Sequence, residues 1–164
     1  MGTAAQLVEQ LLGAHLSSNE ETLFGDFLEG LAISICKQAY AGVKSTTEGI
    51  DLEFSRDGHR YLVSIKSGPN WGNSSQIKKM VDAFGRARRI AGGQKNPIIA
   101  VNGCCYGQDA SPEKETGHYL KLCGQDFWEL ISGRPELYVE LIEPLGHEAH
   151  QRNEAFGVAY AAVS

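Results

Sequence analysis

Apolar residues fall at Leu23, Phe24, Phe27, Leu28, Leu31 and Ile35, the spacing of one face of a helix. The helix is predicted to run from Ser18 to about Tyr40, with Ser18 as N-cap and Glu21 completing a capping box. Leu7, Val8, Leu11, Leu12 and Leu16 repeat the period earlier and predict a short amphipathic helix within residues 3–16. After a loop at Ala41–Thr47 that holds at most a short strand, the pattern changes. Glu48–Phe54 and Tyr61–Gly68 alternate or run apolar over strand length, with β-branched and aromatic residues. Asp57-Gly58 between them is a hairpin turn signal, so two antiparallel strands are predicted.

Gly68–Asn73 holds two Gly, a Pro and two Asn, and reads as a loop leaving the second strand. Asn73 to Ile90 returns to the helical period. Ile77, Met80, Val81, Phe84 and Ile90 form the expected buried stripe, with Asn73 as N-cap and Gln76 at the capping-box position. Pro97–Asn102 is a continuous apolar run, expected as a buried strand parallel to its neighbour across the helix. Asp109–Thr116 reads as a polar loop. Tyr119–Ile131, Glu136–Ile142 and Gly146–Phe156 read as helices.

This order predicts one α/β domain over residues 1–164, with 42% hydrophobic residues to build its core. The four cysteines lack metal-framework spacing, and adjacent Cys104-Cys105 is a poor disulfide pair. With no signal-peptide pattern and no apolar run near the ~18 residues of a membrane span, free thiols in the cytoplasm are expected. His118, Cys123, His147 and His150 have no partners at metal-site spacing. Net charge is −5, yet residues 74–95 carry +5 and the remainder −10. A basic helix face on an acidic body is either a solvated surface or a grip on DNA phosphates.

Strand parity puts Asp51 and Glu53 on one face of the first strand, and Leu62, Ser64 and Lys66 on one face of the second. A buried charge is costly unless paired or metal-bound. Asp51 and Lys66 therefore suggest either a structural ion pair or a metal-dependent phosphodiesterase site. The loop after Lys66 lies beside that site. Its Trp71 can stack on DNA or plug the core edge, and the amides of Asn70, Asn73 and Gln76 can hold phosphate or read an adenine edge. The following helix points its N-terminus at the same place and carries Lys78 and Lys79 in its first turns.

Gly49-Ile50-Asp51, a turn, then Ser64-Ile65-Lys66 resembles the PD-(D/E)XK nuclease pattern. The longer run from Ser64 to Ile77, with Val101–Gly107, Phe127-Trp128-Glu129 and Glu143–His147, is similar to PmeII-type type II restriction endonucleases over roughly residues 17–156. The resemblance implies a mixed central sheet flanked by helices and Mg²⁺-dependent cleavage of double-stranded DNA at a specific sequence. It further implies a homodimer, a companion DNA methyltransferase, and a chain shortened at both ends relative to the family. Asp51 and the Ile65 carbonyl would hold the metal, and Lys66 would act on the attacking water. Ser64 departs from the pattern, because the usual motif has Asp or Glu there. Glu29, from the Gly25–Glu29 stretch, and Glu53 are the candidates to supply the missing carboxylate. Glu29 projects away from the most apolar stripe, so solvent exposure is the competing expectation for it. Glu48 has the wrong strand parity. The alternative is an inactive DNA-binding protein with a nuclease fold.

Overall fold

A computed structural model describes residues 18–92, 97–108 and 119–145. The helices expected within 3–16 and 146–156, the loop at 109–116, His118, His147 and His150 lie outside these residues. Among the described residues, five strands and three α-helices follow one another as α1 (Ser18–Tyr40), β1 (Val43–Lys44), β2 (Leu52–Arg56), β3 (His59–Lys66), α2 (Ser74–Ile90), β4 (Ile98–Cys104), β5 (Leu120–Cys123) and α3 (Gln125–Ser132). A short π-helical turn, Tyr138–Ile142, comes last.

The strands form one sheet in chain order. The pairs β1–β2 and β2–β3 are antiparallel, whereas β3–β4 and β4–β5 are parallel. The fold is thus the expected mixed α/β sheet with helices on both faces. The hairpin turn is as predicted: Asp57 (φ 51°) and Gly58 (φ 77°) both take positive φ, as a two-residue type I′ turn requires. That turn sets Arg56 opposite His59 and, further along, Leu52 opposite Val63.

Side-chain parity divides the core. Leu52, Phe54, Val63, Ile65 and Val101 face Leu28, Ala32 and Cys36 of α1 and Phe127, Trp128 and Ile131 of α3. Leu62 and Ala100 face Met80, Ala83, Phe84 and Ala87 of α2. Two features fix α3 on the sheet. Gly103 leaves room for the Phe127 ring, which would lie 2.3 Å from any Cβ at that position. Arg56 donates from Nη1 to the carbonyls of Glu129 and Leu130 at 3.2 and 3.0 Å.

Two expectations are corrected. Residues 119–131 are not one helix: β5 occupies Leu120–Cys123, and only Gln125 onward is helical. Gly124, at φ 55° and ψ −118°, breaks the chain direction between them. Ile90, expected in the buried stripe of α2, is 76% exposed; the buried residues of that helix end at Ala87, nearly one turn earlier.

Candidate active site

Strand β2 starts one residue after Asp51, and the ladder with β3 is carried past that point by the acid itself. The Asp51 N–H donates to the Val63 carbonyl at 2.8 Å. Its Oδ2 then accepts from the Ile65 N–H at 2.7 Å. The side chain thereby takes the place of a strand carbonyl. In a strand the N–H and C=O of one residue point to the same edge. The Ile65 carbonyl is therefore directed to the side from which the Asp51 carboxylate arrives.

Glu29 reaches the same place from α1. It is half-buried, and its carboxyl is pushed up to about 7 by burial, by a side-chain hydrogen bond with Asp51, and by repulsion from Asp51 and Asp26; Lys44 opposes the rise. The exposed position considered for Glu29 is corrected. It meets Asp51 just before β2 begins.

Beside this pair opens a cleft of about 1460 Å³, lined by Glu29, Ser64, Ile65, Lys66, Trp71 and Lys79 among others. Lys66 ends β3 and holds its ammonium 4.6 Å from the centre of the Trp71 ring. Ser64 is buried, at 1% exposure. Glu53 is not brought into the cleft. It accepts from Ser45 Oγ at 2.7 Å and pairs with Arg60 at 3.3 Å near the sheet edge.

Asn70, Trp71 and Gln76 line the cleft. The acceptor oxygens of Asn73 and Gln76 are engaged with each other's backbone. Gln76 N–H donates to Asn73 Oδ1 at 3.0 Å, and Asn73 N–H donates to Gln76 Oε1 at 2.9 Å, the predicted capping box. Lys79 faces the cleft, whereas Lys78 is exposed and is not part of its lining. Glu48, set aside on strand parity, lines the cleft, as do the acids Asp26 and Asp82. Arg86 and Asn102 are among the residues at the site not singled out as site residues from the sequence. Arg86 lines the cleft two turns after Lys79. Asn102 is buried under the loop, where its Oδ1 accepts from Trp71 Nε1 at 2.9 Å. Helical spacing from Lys79 was the available signal for Arg86, and a polar residue in an apolar run was the signal for Asn102.

The family model described as type II restriction endonuclease EcoO109I matches residues 1–153. The chain belongs to that family. No curated protein matches it. Members of the EcoO109I family are type II restriction endonucleases, site-specific hydrolases that act on double-stranded DNA. The match supports that broader class and not the narrower PmeII type.

Type II restriction endonucleases generally use a divalent metal. The donors in this EcoO109I-family chain fit one. Among the described residues no three or more His, Cys, Asp or Glu side chains are grouped so as to hold a metal ion by themselves. Mg²⁺ does not need such a cage, because it keeps several waters and binds through one or two carboxylates. Glu29, Asp51 and the Ile65 carbonyl are hard oxygen donors converging from three chain segments. Burial and, after it, the neighbouring Asp51 carboxylate hold the Glu29 carboxyl up, and a cation placed between the two acids would relieve their repulsion. Among the described residues no helix is long and apolar enough to cross a membrane.

Proposed function

We propose that this enzyme hydrolyses phosphodiester bonds in duplex DNA at a specific sequence, with Glu29, Asp51 and the Ile65 carbonyl holding Mg²⁺ and Lys66 acting on the water nucleophile. The observation that carries this reading is the contact of Asp51 with Glu29, which lines the same cleft as Lys66.

Bound there, a divalent ion supplies Lewis-acid polarisation of the scissile phosphate and lowers the pKa of water. Asp51 contributes a carboxylate whose position is locked by the Ile65 N–H. Glu29 would supply the second negative charge that Ser64 lacks, in its deprotonated form. Glu53, paired with Arg60, is left with a structural role. Lys66 orients the attacking water and balances charge in the transition state. Lys79 and Arg86 attract the phosphate backbone into the cleft, and Asn70 and Trp71 contact the duplex from the loop.

A two-fold dimer reading a palindrome is the assembly that such specificity favours. A nuclease that cuts cytoplasmic DNA at a fixed sequence also needs that sequence masked in its host, hence a companion methyltransferase.

The test is cleavage of plasmid or phage DNA by the purified protein with Mg²⁺ and with EDTA, beside Lys66→Ala. Discrete fragments that need Mg²⁺ and vanish in the variant are expected. No cleavage by folded protein at any excess overturns the activity. A salt-dependent mobility shift on the same samples would then identify an inactive DNA-binding protein, a reading that Ser64 favours.

A further inference from the structure

We propose that Asn102 is a positioning residue for Lys66, acting through the indole of Trp71. The inference rests on the nuclease reading above, since it assigns Lys66 a precision that only chemistry demands.

Ser64, Asn102 and Lys121 are register partners on β3, β4 and β5, so their side chains form one row on the same face of the sheet. Ser64 and Asn102 are the buried polar residues among those described, each at 1% exposure. Burial of a side-chain amide is unfavourable unless its hydrogen bonds are made. Asn102 makes them toward the loop and the catalytic strand. Its Oδ1 accepts from Trp71 Nε1 at 2.9 Å, and its Nδ2 donates to the Ser64 carbonyl at 3.4 Å. The Cys104 thiol lies 3.9 Å from the same Oδ1. The next residue of the row repeats the pattern, because Lys121 Nζ donates to the Pro69 carbonyl.

The loop is thus held at Pro69 and again at Trp71, although Gly68 and Gly72 flank it. The pinned indole supports Lys66, whose ammonium lies over its ring at 4.6 Å. A lysine has four rotatable bonds and loses much freedom when fixed in one rotamer. An aromatic platform held by a buried amide restricts it before substrate arrives. If Asn102 were there only to fill space, a leucine of similar shape would serve equally well.

The experiment reads Lys66 without DNA or metal. Lysines of the folded protein are ¹³C-dimethylated, and the Lys66 signal is assigned with Lys66→Arg. Ring current from Trp71 should set this signal apart from those of exposed lysines. In Asn102→Leu it should move to the exposed-lysine position while circular dichroism is retained. In unmodified enzyme kcat should fall about tenfold to a hundredfold. In a Trp71→Phe background, Asn102→Leu should add almost nothing, because both changes break one contact. If the leucine variant does not fold, Asn102→Thr keeps a buried hydroxyl that cannot span to the indole, and the same shift is expected. A Lys66 signal unmoved in the folded variant overturns the proposal. Should the wild-type chain fail to cut DNA, the nuclease reading fails, while the Lys66 signal still decides whether Asn102 controls it.

Discussion

The carboxyl of Glu29 is hydrogen-bonded to that of Asp51, across the gap between helix α1 and the start of β2. Burial and this neighbouring carboxylate keep the Glu29 carboxyl protonated up to about neutral pH. Which glutamate replaces the acid missing at Ser64 can be tested from this pair. Glu29→Gln should reduce DNA cleavage by about a hundredfold or more, on the scale of losing a charged transition-state partner. Glu53→Gln removes a charge already paired with Arg60 and should stay within a few-fold of wild type. Single-turnover cleavage of one defined DNA measures both. Equal losses in the two variants would refute the assignment.

The same pair makes stability depend on pH. The Glu29 carboxyl has an ordinary value of 4.5 and is raised to about 7 in the fold. Its contribution is fully present below the ordinary value and is lost as pH rises through about 7. Glu29→Gln should therefore be the more stable protein at pH 8 without divalent ions, by at most about 1–2 kcal/mol because solvent screens a half-exposed group. Near pH 5 the difference should disappear. Thermal melts at the two pH values, in EDTA, provide the check.

Cation binding should follow from the opposite side. Glu29 must lose its proton to act as a ligand, so Mg²⁺ affinity should rise about tenfold per pH unit below 7 and level off above it. Calorimetric titration in buffers of different ionisation enthalpy would show proton release near pH 6. Release that persists unchanged in Glu29→Gln would place the proton elsewhere.

Arg86 and Lys79 face one cleft from one helix. Replacing either by alanine should weaken binding to all DNA sequences alike and reduce the salt slope of log K by about 1. Lys78→Ala should change binding less, since Lys78 does not line the cleft. Mobility shifts across a salt series distinguish these cases.

Gly103 carries a steric prediction with no bearing on charge. A Cβ there meets the Phe127 ring at 2.3 Å. Gly103→Ala should cost about 1–3 kcal/mol by forcing α3 off the sheet, as overpacked cores do. Denaturant unfolding measures it, and Gly103→Ala with Phe127→Leu should recover part of the loss.

Much of this arrangement was legible in the sequence where periodicity and turn chemistry agreed. The hairpin, α2 with its capping box, and the parallel β4 follow directly from alternation, Asp57-Gly58, and the Asn73/Gln76 spacing. The pattern misled where a short strand abuts a helix. Leu120, Leu122 and Cys123 fit a helical stripe as well as a strand, and Gly124 was the punctuation to heed. Glu29 looked solvent-facing because helical periodicity reports which side of α1 is apolar, not what stands at the end of the sheet. Asn102 was hidden for a related reason: its partner Trp71 is distant in sequence and is brought to it only by the parallel pairing of β3 with β4.

Asp51 holds its place through a bond that continues the β2–β3 ladder, and the ladder is counted out from the Asp57-Gly58 turn. The position of Asp51 thus depends on a chain reversal at the far end of the hairpin. Adding or deleting one residue in that solvent-exposed turn would exchange the two faces of β2 and carry Asp51 away from Glu29. The turn should therefore accept exchanges of side chain more readily than changes of length. In this enzyme an indel remote from the chemistry would read out as an active-site mutation.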